Sequence, residues 1–411
     1  MLTVSRFISY LIPVVLWPLS VAIQADDQGQ FVILDQLSPN ATKLQQGKYA
    51  GNYYVPSSPE NVTWGYLPNR TAKPVLTVQS GSVVTFDTVS HEGVLEDQGR
   101  DPVAYFGSHG VDPELVLEEA IDLAASDRTH DFFKDGPHVV TGPVAIKGAQ
   151  PGDVLKVDIL SVEPRVPYGV ISNRHGKGAL PGEYPKTTAQ DDASADHPER
   201  YGNVSVYTPI ELSDSGYVGV LDGGNGKKIK FSLYPFMGIM GVAADTDKPV
   251  HSVPPAHYGG NIDVNDLGAG ATAYYPITVP GALFYTGDSH FVQGDGEVAL
   301  TALEGSARAT FRLTLLKNGA KDIPGKQLSQ PMGETDDFWI TLGLDEDLDE
   351  AMKKSTREAI RFLKEEYGID EAIAYAYLSA ATDFEVSQVV DKTKGINSMI
   401  RKSDFSEFSK E

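Results

Sequence analysis

The chain has 411 residues, no cysteine and a formal net charge of −22. Its length allows one large core or two to three domains, and its acidity argues against nucleic acid or an anionic membrane as partner, because phosphates repel such a field. The missing thiols remove disulfides, thiolate nucleophiles and cysteine-held zinc, so any metal must be held by His, Asp, Glu, carbonyls or water.

Residues 1–25 read as a secretory signal peptide. Arg6 precedes an apolar run from Phe7 to Ala22, and small residues then lead to Asp26 and Asp27. The run is short and broken by Pro13 and Pro18, which disfavours a membrane span. The mature protein is therefore expected to start near Asp26, to be periplasmic or secreted, and to make no membrane contact after cleavage. Residues 26–72 read as an N-terminal extension, and 73–411 as the main domain, helical from about 345.

From Pro74 the pattern is β. Val75, Thr77 and Gln79 alternate with Leu76, Val78 and Ser80, Ser80-Gly81 turns the chain, and Val83 to Thr88 alternates again. A similar unit recurs at Val144 to Leu160, with Pro151-Gly152-Asp153 at the turn, which suggests a duplicated β unit. Between the two, Asp112-Pro113-Glu114 combines an N-cap, a proline at the first helical position and a first-turn acid, and predicts a helix through Leu115, Ile121 and Leu123. Residues 176–203 are polar and rich in Gly, Pro, Asp and Lys, the composition of a long surface loop or lid. Further strands are expected at 228–234, 273–279 and 307–316. Beyond Asp345 the period changes: Leu348, Met352, Ile360, Leu363 and Tyr367 fall at helical spacing, and Asp370 caps a second helix. Met352, Tyr375 and Tyr377 read as packing residues. The fold class is thus mainly β, sandwich-like with duplicated units, carrying a C-terminal helical layer over 345–400: α+β overall.

The richest chemistry lies in Gly281 to Glu297, GALFYTGDSHFVQGDGE, read as a Gly-rich turn between apolar runs, with a strand following at Val298, Leu300 and Ala302. Asp288 and His290 are two apart, so on extended backbone both face one way, as paired metal ligands must. Without a cysteine or a G-x-S-x-G elbow the obvious covalent nucleophiles are thin, and for any hydrolysis at this segment a metal-activated water is favoured. Asp263 and His138 are the expected distant ligands and Glu297 the general base. Asn261 and Gln293 would hydrogen-bond a polar ligand, and Gly142 and Gly260 would let backbone amides approach an anionic oxygen. His91 and Glu92, in a stretch with more acid and imidazole than a strand end needs, are weaker candidates.

Several blocks then stand in order: HVVTGP from His138, GAQPGDVLKVDIL from Gly148, PFMGIMGVA from Pro235, GGNID from Gly259, the segment just described, and SQVVD from Ser387. This ordered set resembles the acetamidase/formamidase family, over roughly residues 70–400. The resemblance implies a sandwich-like fold with flanking helices and hydrolysis of a small linear amide such as formamide or acetamide to carboxylate and ammonia. It also implies a divalent metal, with zinc the first expectation, and homo-oligomers. The export signal departs from the cytosolic habit of the family, as does the elaboration at residues 88–99. A non-catalytic exported small-ligand binder and a lactamase-like hydrolase of cyclic amides remain alternatives.

Overall fold

The computed structural model describes residues 53–214 and 216–408; the signal peptide and most of the N-terminal extension lie outside the described residues. Two large sheets hold most of the chain. One has nine strands, with Ala307–Leu316 and Val154–Pro164 near its centre; the other has eleven, built around Phe284–Val292. The turn at Ser80-Gly81 passes the chain from one sheet to the other. Leu76–Val78 pairs in parallel with Val139–Ile146 in the eleven-stranded sheet, while Ser82–Asp87 joins the nine-stranded one. The second unit does the same: Val139–Ile146 and Val154–Pro164 lie in different sheets, and the latter pairs with one side of Ala307–Leu316 while Ser82–Asp87 pairs with the other. The repeat seen in the sequence is therefore a repeat of strand, crossing turn and strand.

The alternating residues of those strands meet between the sheets. Phe86 and Phe311 of one sheet pack edge-on against Phe284 of the other, with ring centroids 5.7 and 5.4 Å apart, in one continuous buried cluster. The edge-to-face arrangement suits the ring quadrupoles and adds to the burial of three large apolar groups.

Several boundaries differ from those expected. Tyr53–Val55 pairs with Ser82–Asp87 and Val62–Trp64 with Val139–Ile146, so residues 53–67 are strands of the body and not an appended extension. Asp112 does cap its neighbour, its Oδ1 accepting from the Glu114 amide, but only a 3₁₀ turn follows, and the helix proper runs Glu118–Ala125 after extended backbone at Val116 and Leu117. Asp101-Pro102 carries the same signal and starts the helix Pro102–Ser108, which the sequence reading passed over.

The C-terminal helix Leu348–Tyr367 is capped by Asp347 and stops at Gly368 in the left-handed conformation, as cap chemistry dictates. Its buried face is Ala351, Ser355, Ala359, Phe362 and Leu363. Met352 and Tyr375 are exposed, contrary to the packing role expected of them. The helical layer ends at Ala381, because Asp383–Gln388 and Lys394–Arg401 return as strands of the nine-stranded sheet. Among the described residues no helix is long and apolar enough to cross a membrane.

Candidate active site

Phe284–Val292 is not a glycine-rich turn but a nine-residue strand, hydrogen-bonded on both sides. It is buried because neighbouring strands cover both its edges. Val298, Leu300 and Ala302, expected as a strand, instead form turns that lead to the short strand Leu303–Glu304. The polar residues of the motif thus sit inside the sheet, where each must find a partner or cost several kcal/mol.

They find one another. His290 Nε2 lies 3.3 Å from Asp288 Oδ2 and 3.2 Å from Glu304 Oε1, and its Nδ1 is 2.9 Å from Gln293 Oε1. Because the Gln293 oxygen can only accept, Nδ1 carries a proton; Nε2 is the nitrogen turned to the carboxylates, and although burial opposes the charge, Glu304 and Asp288 hold the imidazole's pKa well above its ordinary value. His138, at the start of the neighbouring strand, places Nε2 3.6 Å from Asp288 Oδ2 and Nδ1 2.9 Å from the Ser252 hydroxyl. His91 follows the end of Ser82–Asp87, with Nδ1 3.5 Å from Asp288 Oδ1 and Nε2 3.2 Å from Glu92 Oε1. Glu92 is fixed in turn by Arg174 at 3.0 Å, by the Ser172 hydroxyl at 2.8 Å and by the Gln98 amide.

Asp263, Glu297 and Asp391 complete the centre. Four triads, His91–His138–Asp288, Asp263–Asp288–His290, His290–Glu297–Glu304 and Asp263–Glu297–Asp391, each bring ligand atoms within 4.8 Å of one another, all buried. Many of these atoms lack a hydrogen-bond partner: both nitrogens of His91, both oxygens of Asp263, and one oxygen each of Asp288, Glu304 and Asp391. Buried imidazoles and carboxylates crowded together, with so many atoms making no hydrogen bond, are a donor set for a divalent cation, and the site's residues fit one.

The electrostatics point the same way. Burial pushes the Glu297 and Asp263 carboxyls well up, and the neighbouring charges of Asp391 and Glu297 respectively push them further; Asp391 is raised to about 7, first by burial. Burial opposes the charge of Asp288 too, but the imidazoles of His138 and His290 outweigh it and hold that carboxyl well below its usual range. Burial brings His138 down to about 4, whereas at His91 the adjacent carboxylates Asp288 and Glu92 overcome burial and raise it to about 10. Left to itself, the cluster must hold protons that a cation would replace.

Asp288, His290, Asp263, His138 and Glu297 therefore converge as the sequence suggested. Asn261 is buried beside them with Oδ1 unpartnered, facing the same cavity. Three expectations need correcting. Gln293 spends its amide inside the protein, its Nε2 donating to the carbonyls of Asp263 and Ser387 and its oxygen accepting from His290, so it orients a ligand and does not reach substrate. Gly142 and Gly260 lie off the cavity. Each serves close packing, a Cβ at Gly142 meeting Phe284 O at 3.2 Å and one at Gly260 meeting Leu67 Cδ1 at 2.9 Å. Glu304 and Asp391 carry no local signal of a site: Glu304 follows an ordinary alternating run, while Asp391 closes the SQVVD block.

The glycine that matters here is Gly238, on the strand Phe236–Gly241 beside Asp288. A Cβ there would lie 2.5 Å from Asp263 Oδ1 and 2.7 Å from His290 Cε1. Gly238→Ala is expected to displace both side chains and lower turnover by about 10²-fold, the scale of an ångström-sized misplacement, with far-UV circular dichroism unchanged. Wild-type turnover in the variant would show that the two side chains need not hold these positions.

The fold and centre define a class, a two-sheet protein with a buried carboxylate–imidazole cluster at the foot of a cavity. The model of the Acetamidase/Formamidase family matches residues 123–251 and 242–401, and the chain belongs to that family. It is 29% identical over 227 residues to a candidate formamidase of Schizosaccharomyces pombe, an alignment covering 46% of this chain and 54% of that protein. It is 27% identical over 315 residues to the formamidase of Methylophilus methylotrophus, covering 62% and 73%. The chain thus spans about half the length of the first of these relatives. Among solved structures, the acetamidase of Bacillus halodurans superposes with a TM-score of 0.64 at 24% identity, over 87% of this chain and 100% of that one, a likeness of fold.

Proposed function

We propose that the protein is an amidase that hydrolyses the carbon–nitrogen bond of a linear primary amide, giving a carboxylate and ammonia. The observation that carries this reading is the convergence of Asp288, His290, Asp263, His138 and Glu297, from separate strands and loops, on one buried centre, of which Asp288, His138 and Glu297 line a cavity of about 310 Å³. A divalent cation, zinc by preference for a mixed imidazole and carboxylate set, would be held by Asp288, His290 and Asp263, with His138 and His91 meeting Asp288 from the other side, and would supply Lewis-acid polarisation of the carbonyl and a lowered pKa for water.

The chain's own residues do the rest. Glu297, whose carboxyl burial raises well above its ordinary range, takes a proton from the attacking water and passes it to the departing nitrogen. Asn261 Oδ1, buried without a partner, accepts from the substrate N–H and so favours an amide over an ester. Gln293 puts a proton on Nδ1 of His290, and the Ser252 hydroxyl orients the His138 ring.

The test is elemental analysis of purified protein together with ammonia release before and after chelation. About one metal equivalent per chain, with ammonia release abolished by chelator and restored by metal, is the expected result. Metal-free protein that binds amides but releases no ammonia would replace this reading with that of a binding protein.

A further inference from the structure

The cavity above the carboxylate–imidazole centre measures about 310 Å³. That falls at the lower end of the ~300–1,000 Å³ of pockets that enclose drug-sized ligands, and formamide or acetamide would fill a small part of it. The floor is polar, but one wall is aromatic. Phe132, Phe133 and Tyr201 stand together there, with ring centroids 4.8 Å apart for Phe132 and Tyr201, 5.3 Å for Phe132 and Phe133, and 6.1 Å for Phe133 and Tyr201.

The wall is rigidly mounted. On the segment 130–137, His130 stacks on Trp64 with centroids 4.4 Å apart, Trp64 Nε1 donates to the Pro137 carbonyl at 3.0 Å, and the Tyr66 hydroxyl donates to Asp135 Oδ1 at 2.6 Å. Gly136 packs so closely on the Ser252 hydroxyl that a Cβ would collide with it. Tyr201 is itself buried at the end of the long loop 176–203, its hydroxyl 3.1 Å from Glu96 Oε2. Phe133 nevertheless leaves 80% of its surface in water. A mobile loop could fold such a ring away. A pinned one holds it toward the cavity, and covering it there gains the free energy of removing a phenyl ring from water.

We propose that this cavity selects primary amides whose acyl group carries a ring or a comparably bulky apolar body, seated on Phe132, Phe133 and Tyr201 while the carboxamide meets Asp288 and Asn261. This rests on the amidase reading above and narrows its substrate class away from one- and two-carbon amides. The aromatic wall supplies binding remote from the reacting carbonyl, which orients the carboxamide over the centre.

The test compares ammonia release from phenylacetamide and acetamide by the wild type and Phe133→Ala, with calorimetric binding of phenylacetate, the acid product, to the same proteins. The expected result is a kcat/KM for phenylacetamide at least about tenfold above that for acetamide, a ratio lowered about tenfold in Phe133→Ala, and phenylacetate binding weakened by a similar factor. If Phe133→Ala folds poorly, Phe133→Leu retains an apolar body without the ring and should fall between the two. Acetamide as the better substrate, or a ratio and a phenylacetate affinity unmoved by either variant, overturns the proposal. If neither amide releases ammonia the amidase reading itself fails, and phenylacetate binding alone then decides: Phe133-dependent binding upholds the acyl pocket, and no binding overturns it.

Discussion

Glu297→Gln is expected to lower ammonia release by at least about 10²-fold, the usual size of a lost general base, while the protein stays folded. Glutamine keeps the shape of the side chain and removes only its proton-accepting oxygen. Stability should hold or rise, since Glu297 is buried against Asp391 and Asp263 and its charge is disfavoured there. The pH profile follows from the same direction of shift. A raised carboxyl is protonated at low pH and becomes a base only above its pKa, so wild-type kcat/KM should climb with pH through that value, and the residual activity of the variant should lack the limb. Steady-state assays across pH on both proteins read both effects. A folded variant with wild-type turnover would remove Glu297 from the reaction and turn attention to Glu304, which shares His290 with Asp288.

The second large effect is on stability and lies one layer below the site. Asp87 is buried at the end of its strand and accepts from Arg308 Nε at 2.6 Å, from Arg308 Nη2 at 2.8 Å and from the Tyr54 hydroxyl at 2.7 Å, with Arg165 Nη2 at 3.4 Å. Burial opposes its charge, but the two guanidiniums overcome that and lower its pKa. Asp87→Asn removes the bidentate partner of Arg308 and leaves Arg165 with Glu119, and unfolding free energy should fall by about 3–5 kcal/mol. A depressed carboxyl contributes stability that is present above its unfolded value, near pH 4, and is lost as pH falls through the folded value. The wild type should therefore lose stability below about pH 4, and the variant should lose less over that interval. Urea titrations at pH 7 and pH 3.5 measure this, and a loss under about 1 kcal/mol at pH 7 would place the pair among those that merely break even.

Strand periodicity survived folding well. The run from Ala307 to Leu316 alternates because one face packs on the other sheet, and its ends stand where the pattern places them. The duplicated units were visible too, because each had to supply the same strand, turn and strand to flank that run. What misled was the central strand. Its glycines and polar residues imitate a turn, and only the long-range ladders with Val139–Ile146 and Phe236–Gly241 make it a strand. Asp288, His290 and Asp263 were legible because carboxylate and imidazole crowd one short segment or follow a Gly-Gly-Asn run. Glu304 was not, since a single acid after an apolar run shows its role only when His290 is folded against it. Gln293 and the two glycines were legible as special positions, but composition cannot distinguish a group that touches substrate from one that props up its neighbour.

Asp263, Asp288 and Glu297 all adopt left-handed backbone, with φ of 49, 51 and 47°. Glycine occupies that region without the steric cost a side chain carries there, and a long-chained acid such as Glu297 occupies it less readily than Asp or Asn does. At these three positions the requirements of folding and of chemistry therefore favour different amino acids. A laboratory selection that rewarded only heat resistance would be drawn toward Asn or Gly there, and would relieve both the backbone strain and the crowding of carboxylates. The survivors would be sturdier proteins emptied of their reaction.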